Sequence, residues 1–127
     1  MTARTDNKKK GGWAERAAAR YLQLKGHTVL TCNYTRPTGE VDIISQDGDT
    51  LVFTEVKYRA NLDHGTPGQA VNAAKQRHII RTAMLYLQST ERFDADCRFD
   101  VVEVWKRPDG QIAVHHIPGA FQADRGF

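Results

Sequence analysis

A chain of 127 residues, 40% hydrophobic and 26% charged, has the composition of an ordinary soluble domain, long enough to bury about two-thirds of its unfolded surface. No apolar run approaches the roughly 18 residues that span a bilayer, and the N-terminus lacks a signal-peptide core, which argues against membrane and secreted classes and gives the expectation of a cytoplasmic protein. Of 18 basic and 15 acidic side chains, residues 1–12 hold Arg4, Lys8, Lys9, Lys10 and Asp6, so the net charge of +3 sits in that segment and the body is neutral, with 14 of each sign.

Residues 1–11 are expected to form a disordered basic tail, residues 12–121 a single domain and residues 122–127 a short C-terminal tail. From Gly12 to Lys25, Trp13, Ala17, Tyr21 and Leu24 recur at helical spacing, with Ala14, Ala18 and Leu22 widening the stripe. Gly26 is a natural end for this helix. Glu15 lies beside the stripe; its plain reading is a favourable charge in the first helical turn. A first strand is expected over 28–33, then a loop through Arg36-Pro37-Thr38.

The next two strands carry the informative chemistry. Gly39-Glu40-Val41-Asp42-Ile43-Ile44 and Phe53-Thr54-Glu55-Val56-Lys57 flank a polar turn. A Gly-first loop at Gly48-Asp49 suits a type II′ hairpin. That register pairs Asp47 with Thr50, and counting back sets Asp42 opposite Glu55 and Glu40 opposite Lys57. A turn centred on Asp47-Gly48 gives the same facing. Three carboxylates and one ammonium then share a face with Ile44 and Phe53, which should be core. Opposed like charges destabilise a sheet by up to about 1 kcal/mol at the surface, and a divalent cation would remove the repulsion. The bland alternative is a solvated face on which Glu40 pairs with Lys57 and Asp42 meets water.

A polar stretch from Ala60 to Pro67 leads into a long helix, with Val71, Ala74, His78, Thr82 and Leu85 expected on its apolar face. Gln69, Lys75, Arg77 and Arg81 are on the other side; the plain reading is a solvated face. A final hairpin runs from Phe99 to Trp105, turns at Lys106-Arg107-Pro108-Asp109-Gly110, and returns over Ile112 to Ile117. Cys32 and Cys97 are too few for a disulfide framework and read as small core residues. The five histidines show no zinc spacing, and His115 and His116 point to opposite faces of a strand.

The pattern Gly-Glu-x-Asp, turn, Glu-x-Lys resembles the metal-binding core of the PD-(D/E)XK nuclease superfamily. The whole chain, from Gly12 to Phe121, resembles the small bacterial YraN-type proteins, similar to archaeal Holliday-junction resolvases. The resemblance runs through Gly12-Trp13-Ala14-Glu15, Asn33-Tyr34, the charged hairpin through Tyr58-Arg59, Arg98-Phe99-Asp100-Val101-Val102 and Pro118-Gly119-Ala120-Phe121. It departs from the superfamily in having Val41 before Asp42 and Thr54 inside the second strand. The resemblance implies an α/β fold with a mixed central sheet flanked by helices, restriction-endonuclease-like, in the order helix, three strands, helix, two strands. It implies Asp42 and Glu55 as ligands of Mg²⁺ or Mn²⁺ together with the Val56 carbonyl, Lys57 as catalytic lysine and Glu15 as an accessory acid. Arg59, one strand repeat beyond Lys57, joins Gln69, Lys75 and Arg77 as candidates for contacting nucleic acid.

Three functions use this residue set. The first is metal-dependent endonucleolytic cleavage of DNA, branched DNA included, by a two-fold dimer as in the resolvases. The second is a nuclease-like module that binds branched DNA or a recombination partner without cutting. The third is the same metal chemistry on RNA or another phosphate substrate. The intact acidic cluster favours an enzyme over a binder.

Overall fold

The computed structural model describes residues 2–60 and 71–123, with side chains from residue 12 onward. Two helices and five strands follow in the order α1 (Thr2–Leu24), β1 (Thr28–Arg36), β2 (Gly39–Asp47), β3 (Thr50–Tyr58), α2 (Ala73–Ser89), β4 (Asp96–Lys106) and β5 (Ile112–Phe121). The strands form one sheet in sequence order. Neighbours are antiparallel except β3 and β4, which run parallel because α2 crosses between them. This is a single α/β domain with a mixed sheet, as expected. Among the described residues no helix is long and apolar enough to cross a membrane.

The helices cover opposite faces. Ala14, Ala18 and Leu22 of α1 pack on Ile43, Val102 and Val104, and alanines at that line let the helix axis lie close to the sheet. Ile79, Ile80, Ala83 and Leu87 of α2 pack on Ile44, Leu51, Phe53, Phe99 and Val101, where the Phe53 and Phe99 rings stack at 5.6 Å. Burying each such side chain contributes about 1.5–3 kcal/mol.

Several local expectations are corrected. Helix α1 begins at Thr2, not Gly12, and Leu24, placed in its stripe, is 71% exposed. Strand β1 runs on to Arg36. Helix α2 starts at Ala73, capped by Asn72, whose side chain accepts from the Lys75 amide. Val71 therefore lies outside it, though it still packs on the core, and the expected stripe holds only in part: Thr82 is buried, but Ala74 and His78 are exposed while Ile79 and Ile80 are buried. Cys32 and Cys97 are exposed free thiols. Cys32 is on the edge strand and Cys97 at the start of β4, where the sheet has little cover.

Gly39 shows why the charged hairpin opens with glycine. Its φ is +145°, and a Cβ there would come within 3.2 Å of the His78 Cβ and 3.3 Å of the Thr82 hydroxyl. The Thr38 and Thr82 hydroxyls hydrogen-bond at 2.7 Å beside it, so the β1–β2 turn is pinned against α2. Gly39→Ala is expected to destabilise the fold by about 1–3 kcal/mol, read as a lower urea midpoint at unchanged m-value.

In the middle of β4, level with Thr54 of β3, fully buried Asp100 accepts two hydrogen bonds from Arg98 at 2.9 and 3.0 Å, one from the Gly119 amide at 3.0 Å, and lies 2.7 Å from His116 Nε2. Burial pushes its pKa up, but His116, Arg98 and Gly119 outweigh that and hold it at about 2. With the folded value below the ordinary 3.8, the carboxylate stabilises the fold above pH ~4, and that stability disappears as the pH falls towards ~2. The contribution is roughly 2 kcal/mol. Asp100→Asn should flatten the dependence of the denaturation midpoint on pH across that window.

Candidate metal centre at the end of the central hairpin

The β2–β3 hairpin folds in the expected register. Asp47 pairs with Thr50, Ile44 with Phe53 and Ile43 with Thr54. Gly48 has φ 61° and Asp49 is not in the left-handed region, the pattern of a type II′ turn. Continuing the count sets Asp42 opposite Glu55, but the ladder ends at Ile43–Thr54. Beyond it the strands part, and the Asp42 carboxylate itself accepts the Val56 N–H at 2.8 Å. In an extended strand a residue's N–H and C=O lie on the same edge, so the Val56 carbonyl opens on the same seam.

The parting also breaks side-chain alternation. Val41 belongs to the core under α2 with Ile44, whereas Ile43 belongs to the core under α1. Strict parity would have put Val41 with Ile43. The expected pairing of Glu40 with Lys57 is replaced accordingly: Glu40 gathers with Glu15 and Asp42, one carboxylate oxygen of each lying within 4.8 Å of the others. Glu15 reaches the group from α1. Asn33 completes it. This residue adopts φ 55°, a left-handed conformation that asparagine tolerates better than most. With its NH₂ turned to the carboxylates, the amide nitrogen lies 2.9 Å from Glu40 Oε2 and 3.1 Å from Glu15 Oε1.

Electrostatically the site is strained in the direction a cation would relieve. Burial and the adjacent Glu55 carboxylate push the Asp42 pKa well above the ordinary carboxylate value; Glu15 adds to this, while the Val56 N–H pulls the other way. Partial desolvation of its sulfur, then Glu15 and Asp42, raise the pKa of the nearby Cys32 thiol although the residue is exposed overall. Glu55 is buried and meets Lys75 of α2, Nζ to Oε2, at 3.4 Å.

Of the residues singled out in the sequence, Asp42, Glu55, Glu15 and the Val56 backbone come together at this seam, and Lys75 joins them from α2. Lys57 is exposed on β3, two residues beyond Glu55. Arg77 is exposed on α2. Arg59 does not face outward: its side chain is 11% exposed and bonds the fully buried Glu103 at 2.6 Å. Gln69 lies outside the described residues. Asn33 is a site residue the sequence does not single out for chemistry, and Glu40 belongs to the acidic group but with Glu15 and Asn33 rather than Lys57. Asn33 had one usable signal, a residue tolerant of positive φ in the middle of a strand-like run. Glu103, a carboxylate in the otherwise apolar run Val101-Val102-Glu103-Val104, signalled a buried cationic partner.

Glu15, Glu40 and Asp42, with Glu55 beside Asp42, are hard oxygen donors of the kind that hold a divalent metal ion, and the repulsion between Asp42 and Glu55 shows in the raised pKa of Asp42. The residues fit such an ion.

Residues 14–104 match the uncharacterised protein family UPF0102. The UPF0102 protein STH1475 of Symbiobacterium thermophilum is 47% identical over 113 residues, covering 89% of this chain and 96% of its own. A UPF0102 protein of Syntrophotalea carbinolica is 44% identical over 90% of this chain and 92% of its own, and one of Alkaliphilus oremlandii 43% identical over 91% and 99%.

Proposed function

The chain belongs to the uncharacterised protein family UPF0102, and from that premise we propose that it is a metal-dependent endonuclease that hydrolyses DNA phosphodiester bonds. One observation supports this above the others: Asp42 leaves the regular ladder, takes the Val56 amide, and sits beside Glu55 with Glu15 and Glu40 close by. A solvated charged face would have no reason to bury one carboxylate against another.

Asp42, Glu55 and the Val56 carbonyl would hold Mg²⁺ or Mn²⁺. When bound, such an ion supplies a nucleophilic water near neutral pH and offsets charge growing on the phosphate. The Asp42 carboxylate is fixed by the Val56 N–H, so it is oriented before any ligand arrives. Glu15, braced through Asn33 against Glu40, orients waters at the outer side of the site. Lys57, a compact ammonium on the rim, holds a phosphate oxygen or the attacking oxygen, the role to which its small charge is suited. Exposed Arg77 on α2 extends a positive approach for the phosphate backbone. Arg59 acts from behind: paired with Glu103, it secures the end of β3 to β4 and so fixes the strand that bears Glu55 and Lys57. The substrate we favour is branched DNA cut by a two-fold dimer in the cytoplasm.

The test is incubation of the purified protein with branched, linear duplex and single-stranded DNA, and with RNA, each with Mg²⁺, with Mn²⁺ and with EDTA. Cleavage that needs the ion and prefers branched DNA is expected. Tight binding of branched DNA with no cutting under any ion would favour a non-catalytic module, and cleavage of RNA alone would move the substrate class.

A further inference from the structure

Lys75 is in the wrong place for a helix and the right place for a switch. It occupies the third residue after the Asn72 cap, and the Asn72 side chain accepts its backbone amide at 2.9 Å. That position favours Glu or Gln, which can bond back to the cap residue, and the positive end of the helix dipole disfavours a cation there. No acidic residue stands in the first turn of α2 to compensate. The ammonium instead reaches the sheet and meets the Glu55 carboxylate at 3.4 Å, with the Lys75 side chain 50% exposed and that of Glu55 10% exposed. The backbone of Lys75 is therefore held by Asn72, and its half-exposed side chain is held only at the ammonium, by a carboxylate of the metal centre.

We propose that Lys75 is the exchangeable counter-ion of Glu55: it neutralises that carboxylate while the metal centre is empty and transfers to a substrate phosphate oxygen when a divalent ion takes its place. This rests on the metal-dependent reading above and adds to it a coupling between ion and nucleic acid. An ammonium and a divalent ion cannot share one carboxylate at close range without repulsion. An ion arriving on Glu55 releases Lys75, and the released ammonium stands beside the positive end of α2, so the two together form an attractive locus for a phosphate. Linkage then requires that ion and nucleic acid each strengthen the other's binding. The step is an exchange of ionic partners, with no bond made or broken and no proton moved.

Two measurements test it, neither of them activity. Mn²⁺ binding is read by the loss of the free-ion resonance in electron paramagnetic spectra, with no nucleic acid present. Lys75→Gln should bind Mn²⁺ about three- to tenfold more tightly than wild type, because the competing ammonium is gone; Lys75→Arg, which keeps the charge, should stay near wild type. Affinity for a short duplex is then measured against salt, without divalent ion and with Ca²⁺. Without the ion the two proteins should show the same logarithmic slope, since Lys75 is engaged by Glu55. With Ca²⁺ the wild-type slope should be steeper than that of Lys75→Gln by about 0.9, one phosphate contact. Equal Mn²⁺ affinity in wild type and Lys75→Gln, or equal slopes with Ca²⁺, overturns the exchange while leaving the metal centre standing. Wild-type protein that binds no Mn²⁺ at all removes the metal-dependent reading, and the exchange with it.

Discussion

Asp42→Ala and Glu55→Ala are each expected to abolish ion-dependent cleavage while leaving the protein folded. The two losses have the same physical origin. Asp42 and Glu55 are crowded enough that the Asp42 pKa stands well above the ordinary value, and a divalent ion is what makes the pair of charges favourable. Removing either carboxylate removes one of the two groups proposed to anchor the ion, and a metal-assisted reaction depends on that anchor for both its nucleophile and its charge neutralisation. Stability should move the other way. In the ion-free protein, losing one of two opposed carboxylates relieves repulsion, although Asp42→Ala also deprives the Val56 N–H of its acceptor, which costs about 1 kcal/mol. Glu55→Ala should therefore melt at or above wild type once Lys75 is solvated, and Asp42→Ala slightly below it. The thermal shift on adding Mn²⁺ should vanish in both. Cleavage assays beside melting curves with and without Mn²⁺ check both parts, and a wild-type rate in either variant would remove that residue from the chemistry.

Lys57→Ala should separate ion binding from turnover. Its side chain is exposed and an ammonium is not a metal ligand, so Mn²⁺ affinity should remain within a few-fold of wild type. The rate should fall by about 100-fold or more, the usual effect of deleting a preorganised charge that acts on the transition state. Lys57→Arg should recover little, because a planar fork does not place its charge where a compact ammonium does. Single-turnover kinetics at saturating Mn²⁺ distinguish this from weakened substrate binding. A rate unchanged in Lys57→Ala, with loss only of DNA affinity, would make Lys57 a backbone contact rather than a catalytic residue.

How much of this was legible before folding depended on the range of the interaction. The hairpin register follows from the short turn at Asp47-Gly48-Asp49, because a two-residue loop fixes every pair above it, and that faces Asp42 with Glu55. The same counting failed one residue further on. Nothing local in Glu40-Val41-Asp42 says that the ladder stops at Ile43–Thr54, since it stops where β2 gives its side chain rather than its backbone to Val56. Glu40 therefore turned up with Glu15 and Asn33 instead of Lys57. The Arg59–Glu103 pair was equally hidden, because it joins two parallel strands connected through α2, and parallel register cannot be counted from a turn. The phase of α2 is legible only in part for a simpler reason: Val71 precedes the Asn72 cap, and a stripe begun there takes in buried Thr82 but also exposed Ala74 and His78. The apolar doublet Ile79-Ile80 would have set the phase correctly.

Anomalous diffraction from crystals soaked in Mn²⁺ addresses the centre itself, independently of any substrate. One strong peak is expected in the seam between β2 and β3, within bonding distance of the Asp42 and Glu55 carboxylates and the Val56 carbonyl, with Lys75 displaced from Glu55. A peak bound elsewhere, or a fully soaked crystal with Lys75 still on Glu55 and no peak at Asp42, would contradict it.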